Sequence, residues 1–239
     1  METPGATSPD SSGVEWPAGW SISVVDETGS TNTDLLRAAV DGAPDRTVLM
    51  ARHQSAGRGR MDRRWEAPPG ANLLVSLLFR EVPEHPHVLT QRVGLAAIAA
   101  CTEVAGVQPL LKWPNDLLLN GAKLAGVLAQ AQLGANPAVV VGIGLNVGWA
   151  PEGAARLGEG VSPAQVLAAL LRAYDALPED VWLEYRANLG TLGRAVRVEL
   201  PDGEVTGRAL DVEPDGRLIV VDECGISHRF AVGDVIHLR

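Results

Sequence analysis

Cysteine is scarce, a basic excess is missing, and so is any long run of apolar residues. The two cysteines, Cys101 and Cys224, stand far apart. That spacing leaves no disulfide framework and no zinc-ligand pattern, and it suits a reducing cytoplasm. Twenty Lys and Arg against 29 Asp and Glu give a net charge of −9, so the chain lacks the basic face with which a general nucleic-acid binder collects phosphates. No apolar run reaches the roughly 18 residues of a membrane span, and the N-terminus lacks the basic-then-apolar order of a secretory leader. These absences predict a cytoplasmic protein whose partners include neither nucleic acid nor membrane. What is present is ordinary for a globular chain, with 46% hydrophobic and 21% charged residues over 239 positions. That length holds one large domain, or one large and one small.

Residues 1–19 are rich in Pro, Gly, Ser and acids and read as a poorly ordered tail. From Trp20 the pattern becomes periodic. Ile22, Val24 and Val25 predict a strand. A helix follows from Thr31, with capping-box-like spacing between Thr31 and Asp34 and with Leu35, Leu36, Ala39 and Val40 on one face. Strands are expected at Val48–Ala51 and Asn72–Arg80, separated by a polar loop from His53 to Pro69. Val88–Val104 reads as a buried helix. Strand candidates then crowd together: Leu110–Trp113 with Leu117–Leu119, Leu124–Leu128 and Ala138–Val147. Asn120-Gly121 is a two-residue hairpin signal within that set, so the sheet should be mixed or antiparallel, an α+β arrangement. Val161–Leu177 and Glu179–Leu189 are expected as helices, the first introduced by Ser162-Pro163. After about Gly190, short alternating strands separated by Asp-Gly turns predict a small β-barrel of roughly 50 residues.

Four segments are too polar and too rich in glycine for packing alone. Ser30-Thr31-Asn32 gathers hydroxyls, an amide and free backbone N–H groups at a helix start, which suits a small polar ligand; cap preferences alone would make it a plain helix cap. Between Gln54 and Trp65 lie Arg58, Arg60, Arg63 and Arg64, four arginines within seven residues of an acidic protein. Glycines between them let the backbone approach an anion that the guanidiniums can grip. Such like charges should leave the loop loose until an anion arrives. The third segment is Lys112-Trp113-Pro114-Asn115-Asp116 with Lys123-Leu124-Ala125-Gly126. It sets two lysines and a carboxylate on neighbouring arms of a hairpin, where they can hold phosphate or carboxylate, and Asp116 could hold Mg²⁺ through water. The fourth, Gly142-Ile143-Gly144-Leu145-Asn146-Val147-Gly148, has the wrong spacing for a dinucleotide fingerprint and no helix behind it. Glycines in a strand instead let a ligand lie against the backbone.

In this order and at these spacings the four segments, with the closing stretch from Gly233 to Arg239, resemble biotin–protein ligases over about residues 22–239. The resemblance implies a catalytic domain with a mixed sheet like that of class II aminoacyl-tRNA synthetases, over 20–189, and an SH3-like C-terminal barrel over 190–239. It implies that Ser30, Thr31, Asn32, Gln54, Gly57, Arg58, Arg60, Lys112, Gly126 and Gly144 bind biotin. Arg58, Arg60, Trp65, Asn115, Lys123 and Asn146 would bind ATP, and Arg58, Lys112, Asp116 and Lys123 would serve catalysis. The implied chemistry uses ATP and Mg²⁺, takes biotin as substrate and transfers it to a lysine of the biotin carboxyl carrier domain of a carboxylase. The resemblance leaves open whether the protein is a homodimer. The sequence departs from the family pattern at Asp62, where the loop usually carries Gly, and at Gln130, where an acidic residue is common. Lipoate or octanoyl ligation on the same fold, and a non-catalytic biotin sensor, are the rival readings; retention of both lysines and all four loop arginines favours catalysis.

Overall fold

In the computed structural model, residues 13–238 are described, the side chain of Asp62 excepted. Most of the expected tail, 1–12, therefore lies outside the described residues, as does Arg239. Within residues 13–19 the chain is irregular, and Trp16 packs against the core.

The larger sheet has seven strands: β1 (Ser21–Thr28), β2 (Thr47–Gln54), β3 (Leu73–Phe79), β4 (Leu110–Lys112), β5 (Asp116–Leu119), β6 (Ala122–Gln132) and β7 (Ala138–Leu145). Their spatial order is β1-β2-β3-β7-β6-β5-β4. Only β1 and β2 run parallel; the other neighbours are antiparallel. The sheet is thus mixed, as the Asn120-Gly121 signal required, and both residues of that turn take positive φ.

The seven residues of β3 are all buried, because α1 (Thr31–Val40) covers one face of the sheet while α2 (His87–Ala105) and α3 (Pro163–Ala176) cover the other. A strand covered on both faces reads as a continuous apolar run. Leu35 and Ala39 of α1 pack with Leu78, Ala138 and Val140. On the opposite face Val75, Leu77, Val93 and Leu170 belong to the main core. By length and composition α2 could cross a bilayer, with 19 residues and a mean hydropathy of 1.3, yet it is a core helix packed on α3.

Ser162 caps α3 with a full capping box shared with Gln165. The box expected at Thr31 and Asp34 does not form. Ser30 is the N-cap residue, no side chain caps the helix, and the Asp34 carboxylate instead accepts the Thr28 hydroxyl. The helix expected over Glu179–Leu189 shrinks to α4 (Trp182–Ala187), because the Asp180 carboxylate accepts the Trp182 N–H at 2.9 Å and starts the helix there. The polar loop also begins later than expected. His53 and Gln54 extend β2 by pairing with Glu27 and Thr28.

The second sheet holds five antiparallel strands, β8 (Ala195–Leu200), β9 (Gly203–Val212), β10 (Leu218–Val221), β11 (Ser227–Phe230) and β12 (Asp234–His237), in the order β11-β10-β9-β8-β12. It joins the first through fixed polar contacts. The Trp113 indole donates to the Gly216 carbonyl at 2.9 Å, and the Thr191 hydroxyl accepts the Trp113 N–H at 3.0 Å.

Candidate active site

On its α1 side the larger sheet is covered as far as the N-terminus of that helix. Beyond it the strands carry glycines, and a cavity of about 490 Å³ opens, within the range of small-molecule sites. Register explains the composition of one row across the sheet. Lys112 pairs with Asp116, Asp116 with Gly126, and Gly126 with Gly144. Cross-strand partners point to the same face, so two charged side chains stand beside a bare floor.

At one end of the cavity the polar groups are neutral and buried. Gln54 reaches across from the end of β2; its Oε1 accepts the Thr31 N–H at 2.8 Å and lies 3.0 Å from the Thr31 hydroxyl oxygen. Ser76, fully buried in the middle of β3, lies 2.7 Å from the Thr31 hydroxyl and 2.5 Å from Asn32 Oδ1. Asn32 Nδ2 donates to the Leu128 carbonyl at 3.1 Å and to Gln130 Oε1 at 2.9 Å. Gly142 is required here, since a Cβ on it would sit 2.1 Å from Asn32 Oδ1. Ser30 is buried as well, and its hydroxyl makes no cap bond. The plain-cap reading of Ser30-Thr31-Asn32 therefore fails; these side chains face the cavity and one another.

The other end is charged and half-exposed. Lys123 Nζ stands 2.7 Å from Asp116 Oδ1, and Lys112 Nζ stands 3.9 Å from Oδ2. Burial pulls the Lys112 ammonium below the ordinary lysine range, Lys123 adds to the effect, and Asp116 opposes it. A positive cluster around a single carboxylate suits an anionic ligand. The same cluster fits a resident metal poorly. Asp116 is already neutralised, and no group of three His, Cys, Asp or Glu that could hold a metal occurs among the described residues. Asp116 stands as a bridge between two lysines.

Two arginines of the loop have partners outside it. Arg60 donates to Asn115 Oδ1 at 3.1 Å and to the Gly233 carbonyl at 3.2 Å, and Arg63 pairs with the Asp234 carboxylate. The anion that gathers these arginines is thus a carboxylate of the second sheet. Gly57 does not line the cavity; it closes the neck of the loop, where a Cβ would lie 2.3 Å from the Trp65 carbonyl oxygen. Arg58 is exposed at the rim. Trp65 lies over Gly144, whose Cβ would come 2.4 Å from the indole, and its buried Nε1 has no hydrogen-bond partner. The strand glycines expected to admit a ligand therefore also make room for Asn32 and Trp65.

Of the residues expected from sequence, Ser30, Thr31, Asn32, Gln54, Arg58, Arg60, Trp65, Lys112, Asn115, Asp116, Lys123, Gly126, Gly144 and Asn146 all line this one cavity. Like Asn32, two others of them have both ends of their amides engaged inside the protein. Asn115 binds Arg60 and the Val127 carbonyl, and Asn146 binds Asn72 and the Ala155 carbonyl. Sequence reasoning missed Ser76, Gln130, Gly142 as a steric requirement, and Asp234. A hydroxyl alone within the apolar run of β3 was a readable signal for Ser76. Asp234 offered none, because it arrives from the second sheet.

Comparison with known proteins agrees with this geometry. Residues 24–147 match the biotin/lipoate A/B protein ligase family, and residues 191–238 match the biotin protein ligase C-terminal domain. The biotin--[acetyl-CoA-carboxylase] ligase of Mycobacterium tuberculosis is 40% identical over 93% of this chain and 91% of its own length. The bifunctional ligase/repressor BirA of Bacillus subtilis is 30% identical over 84% of this chain and 69% of its own. Among solved structures, the biotin protein ligase of Aquifex aeolicus in complex with biotin and ATP superposes with a TM-score of 0.77 at 26% identity, over 92% of this chain and 99% of that one.

Proposed function

The chain belongs to the biotin/lipoate A/B protein ligase family, and from that premise we infer that its site makes biotinyl-5′-AMP from biotin and ATP and passes the biotinyl group to a protein lysine. The observation that carries this reading is the division of one cavity into a neutral, buried end and a cationic end. A ureido ring is neutral and hydrogen-bonding and fits Ser30, Thr31, Gln54 and the amide of Asn32. A carboxylate meeting a triphosphate is an encounter of anions, and Lys112, Lys123 and the loop arginines supply the opposing charge. Attack by the biotin carboxylate on the α-phosphorus forms a mixed anhydride and releases pyrophosphate. No protein nucleophile takes part, in keeping with a buried Cys101 whose thiol burial pushes up to about 12. Arg58, Arg60 and Trp65 form the cover that keeps water from the anhydride. Mg²⁺ would accompany the nucleotide's phosphates, since no group of three His, Cys, Asp or Glu that could hold it occurs among the described residues.

The acceptor we propose is the carboxyl carrier domain of a biotin-dependent carboxylase, the protein class named for the M. tuberculosis relative. The division of labour follows the two sheets, with 20–189 as the catalytic unit and 190–239 as an SH3-like unit that anchors the loop. A cytoplasmic protein that binds no nucleic acid completes the reading, supported by the two free cysteines and the net charge of −9. Incubating the protein with ATP, a carrier domain and either biotin or lipoate tests the whole. Label should appear on the carrier with biotin alone; lipoylation without biotinylation would overturn it.

A further inference from the structure

The neutral end of the cavity carries a proton deficit. Gln54 Oε1 must accept, because the Thr31 N–H points to it at 2.8 Å. Asn32 Oδ1 must accept, because its Nδ2 is oriented by the Leu128 carbonyl and by Gln130 Oε1. Between these two acceptors stand two hydroxyls. They make the oxygen contacts Gln54 to Thr31 at 3.0 Å, Thr31 to Ser76 at 2.7 Å and Ser76 to Asn32 at 2.5 Å. Each hydroxyl owns one proton, so one contact has none. The shorter pair takes the protons: Ser76 donates to Asn32, and Thr31 donates to Ser76. Two hydrogen bonds running in one direction also polarise each other favourably. The longest contact is left with lone pairs on both oxygens.

We propose that Ser76 is a specificity-determining positioning residue: by drawing the Thr31 proton away from the cavity, it leaves Thr31 Oγ1 and Gln54 Oε1 as a paired acceptor that demands an N–H donor from the ligand. This deepens the reading of biotin as substrate and rests on it. A ureido N–H fills the gap; a ring with no N–H, such as a dithiolane, leaves the deficit standing. Gln130 belongs to the same device, because it fixes the orientation of Asn32 on which the proton direction depends. Ser76 touches no ligand and acts through Thr31.

The test is a binding cycle by titration calorimetry, without ATP. The ligands are biotin and the two cyclic carbamates in which one ureido N–H or the other is replaced by oxygen. The parent should bind one carbamate at least about tenfold more weakly than biotin, the scale of one lost hydrogen bond with its acceptor left unpaired. In Ser76→Ala the Thr31 proton is free to turn toward Gln54 or toward the ring oxygen. Biotin should then bind more weakly while the penalty for that carbamate shrinks to about threefold or less. A loss that is merely structural would weaken both ligands alike, so an equal penalty in parent and variant overturns the proposal. Ser76→Cys, of nearly parental shape and with a weaker donor, should give an intermediate penalty and carries the test if the alanine variant does not fold; a parental penalty there overturns it too. A parent that binds no biotin refutes the function itself, a result distinct from either.

Discussion

The two ends of the cavity solve recognition by opposite means. At one end Ser30, Thr31, Asn32, Gln54 and Ser76 are neutral, the last four joined by short polar contacts, and all but Gln54 are buried. At the other, Lys112, Asp116, Lys123, Arg60, Arg63 and Asp234 are charged, partly hydrated and mutually paired. The first kind of site discriminates by counting donors and acceptors, because an unmatched polar group out of water is costly. The second responds to charge, tolerates shifts of an ångström and weakens with salt. A ligase of this kind needs both: strict choice of one small substrate, and loose accommodation of phosphates whose charge moves during reaction.

Removing the central cation should produce the largest effect. Lys123→Ala takes away the ammonium 2.7 Å from Asp116, and adenylate formation, read as pyrophosphate release, should slow by about 10²-fold or more. The same variant supplied with synthetic biotinyl-AMP should label carrier at a rate far less reduced. If both half-reactions suffer alike, the charged end is not specialised for the first.

A smaller but still large loss is expected from the neutral end, by steric means. In Gly142→Ala the new methyl would sit 2.1 Å from Asn32 Oδ1, so Asn32 must move and the hydrogen-bond chain behind it breaks. Overpacking of this kind costs about 1–3 kcal/mol, and biotin affinity should fall by roughly 10- to 10²-fold while ATP affinity is unchanged. A variant that loses ATP as readily as biotin would erase the distinction between the ends.

The boundary between the loop and the second sheet offers the next test. Asp234 pairs with Arg63 and lies 3.8 Å from Arg60. Asp234→Asn should free Arg63 and leave Arg60 on its bonds to Asn115 and the Gly233 carbonyl, make the 58–64 segment more sensitive to protease and raise the dissociation rate of biotinyl-AMP by about fivefold to tenfold, the scale of a partly exposed charge network. Added salt should mimic the substitution in the parent and do little in the variant. Protease sensitivity unchanged by both would show that the latch does not hold the loop.

What was legible in the sequence divides along the same lines. Local signals were readable: Asn120-Gly121 gave its hairpin and Ser162-Pro163 its capped helix because those choices are settled within a few residues. Lys112, Asp116 and Lys123 were readable as a cluster because one hairpin brings them together. The cap at Thr31 misled, since Asp34 has a partner at Thr28 that helix preferences cannot foresee. The arginine loop was readable as a cluster, but not its tether: Asp234, which pairs with Arg63 and lies near Arg60, stands some 170 residues away in sequence. Ser76 and Gln130 went unassigned because their meaning resides in a proton count that exists only once β3, β6 and α1 are packed together.

The smallest effect concerns pH and separates the ends once more, because the neutral end contains no titratable group. Beneath the charged end, His237 Nε2 lies 3.2 Å from the Thr191 hydroxyl, at the joint of the two sheets. Burial first, then the positive charges of Lys112 and Arg194, push its pKa down from 6.5 to about 4. The folded protein therefore keeps this ring neutral where the unfolded chain would protonate it. Between pH 6.5 and about 4 the unfolded state binds the extra proton, so this contribution to stability is whole above pH 6.5 and is lost as pH falls toward 4. Because the ring is only half-buried, solvent screening trims the full shift to a loss of about 1 kcal/mol. His237→Gln keeps a polar partner for Thr191 and cannot titrate. Denaturant stability measured from pH 7.5 down to about 4.5 should therefore fall less in the variant than in the parent, with biotin affinity alike in both. Equal slopes would mean that acid acts elsewhere, through the carboxylates of the ion pairs around the loop.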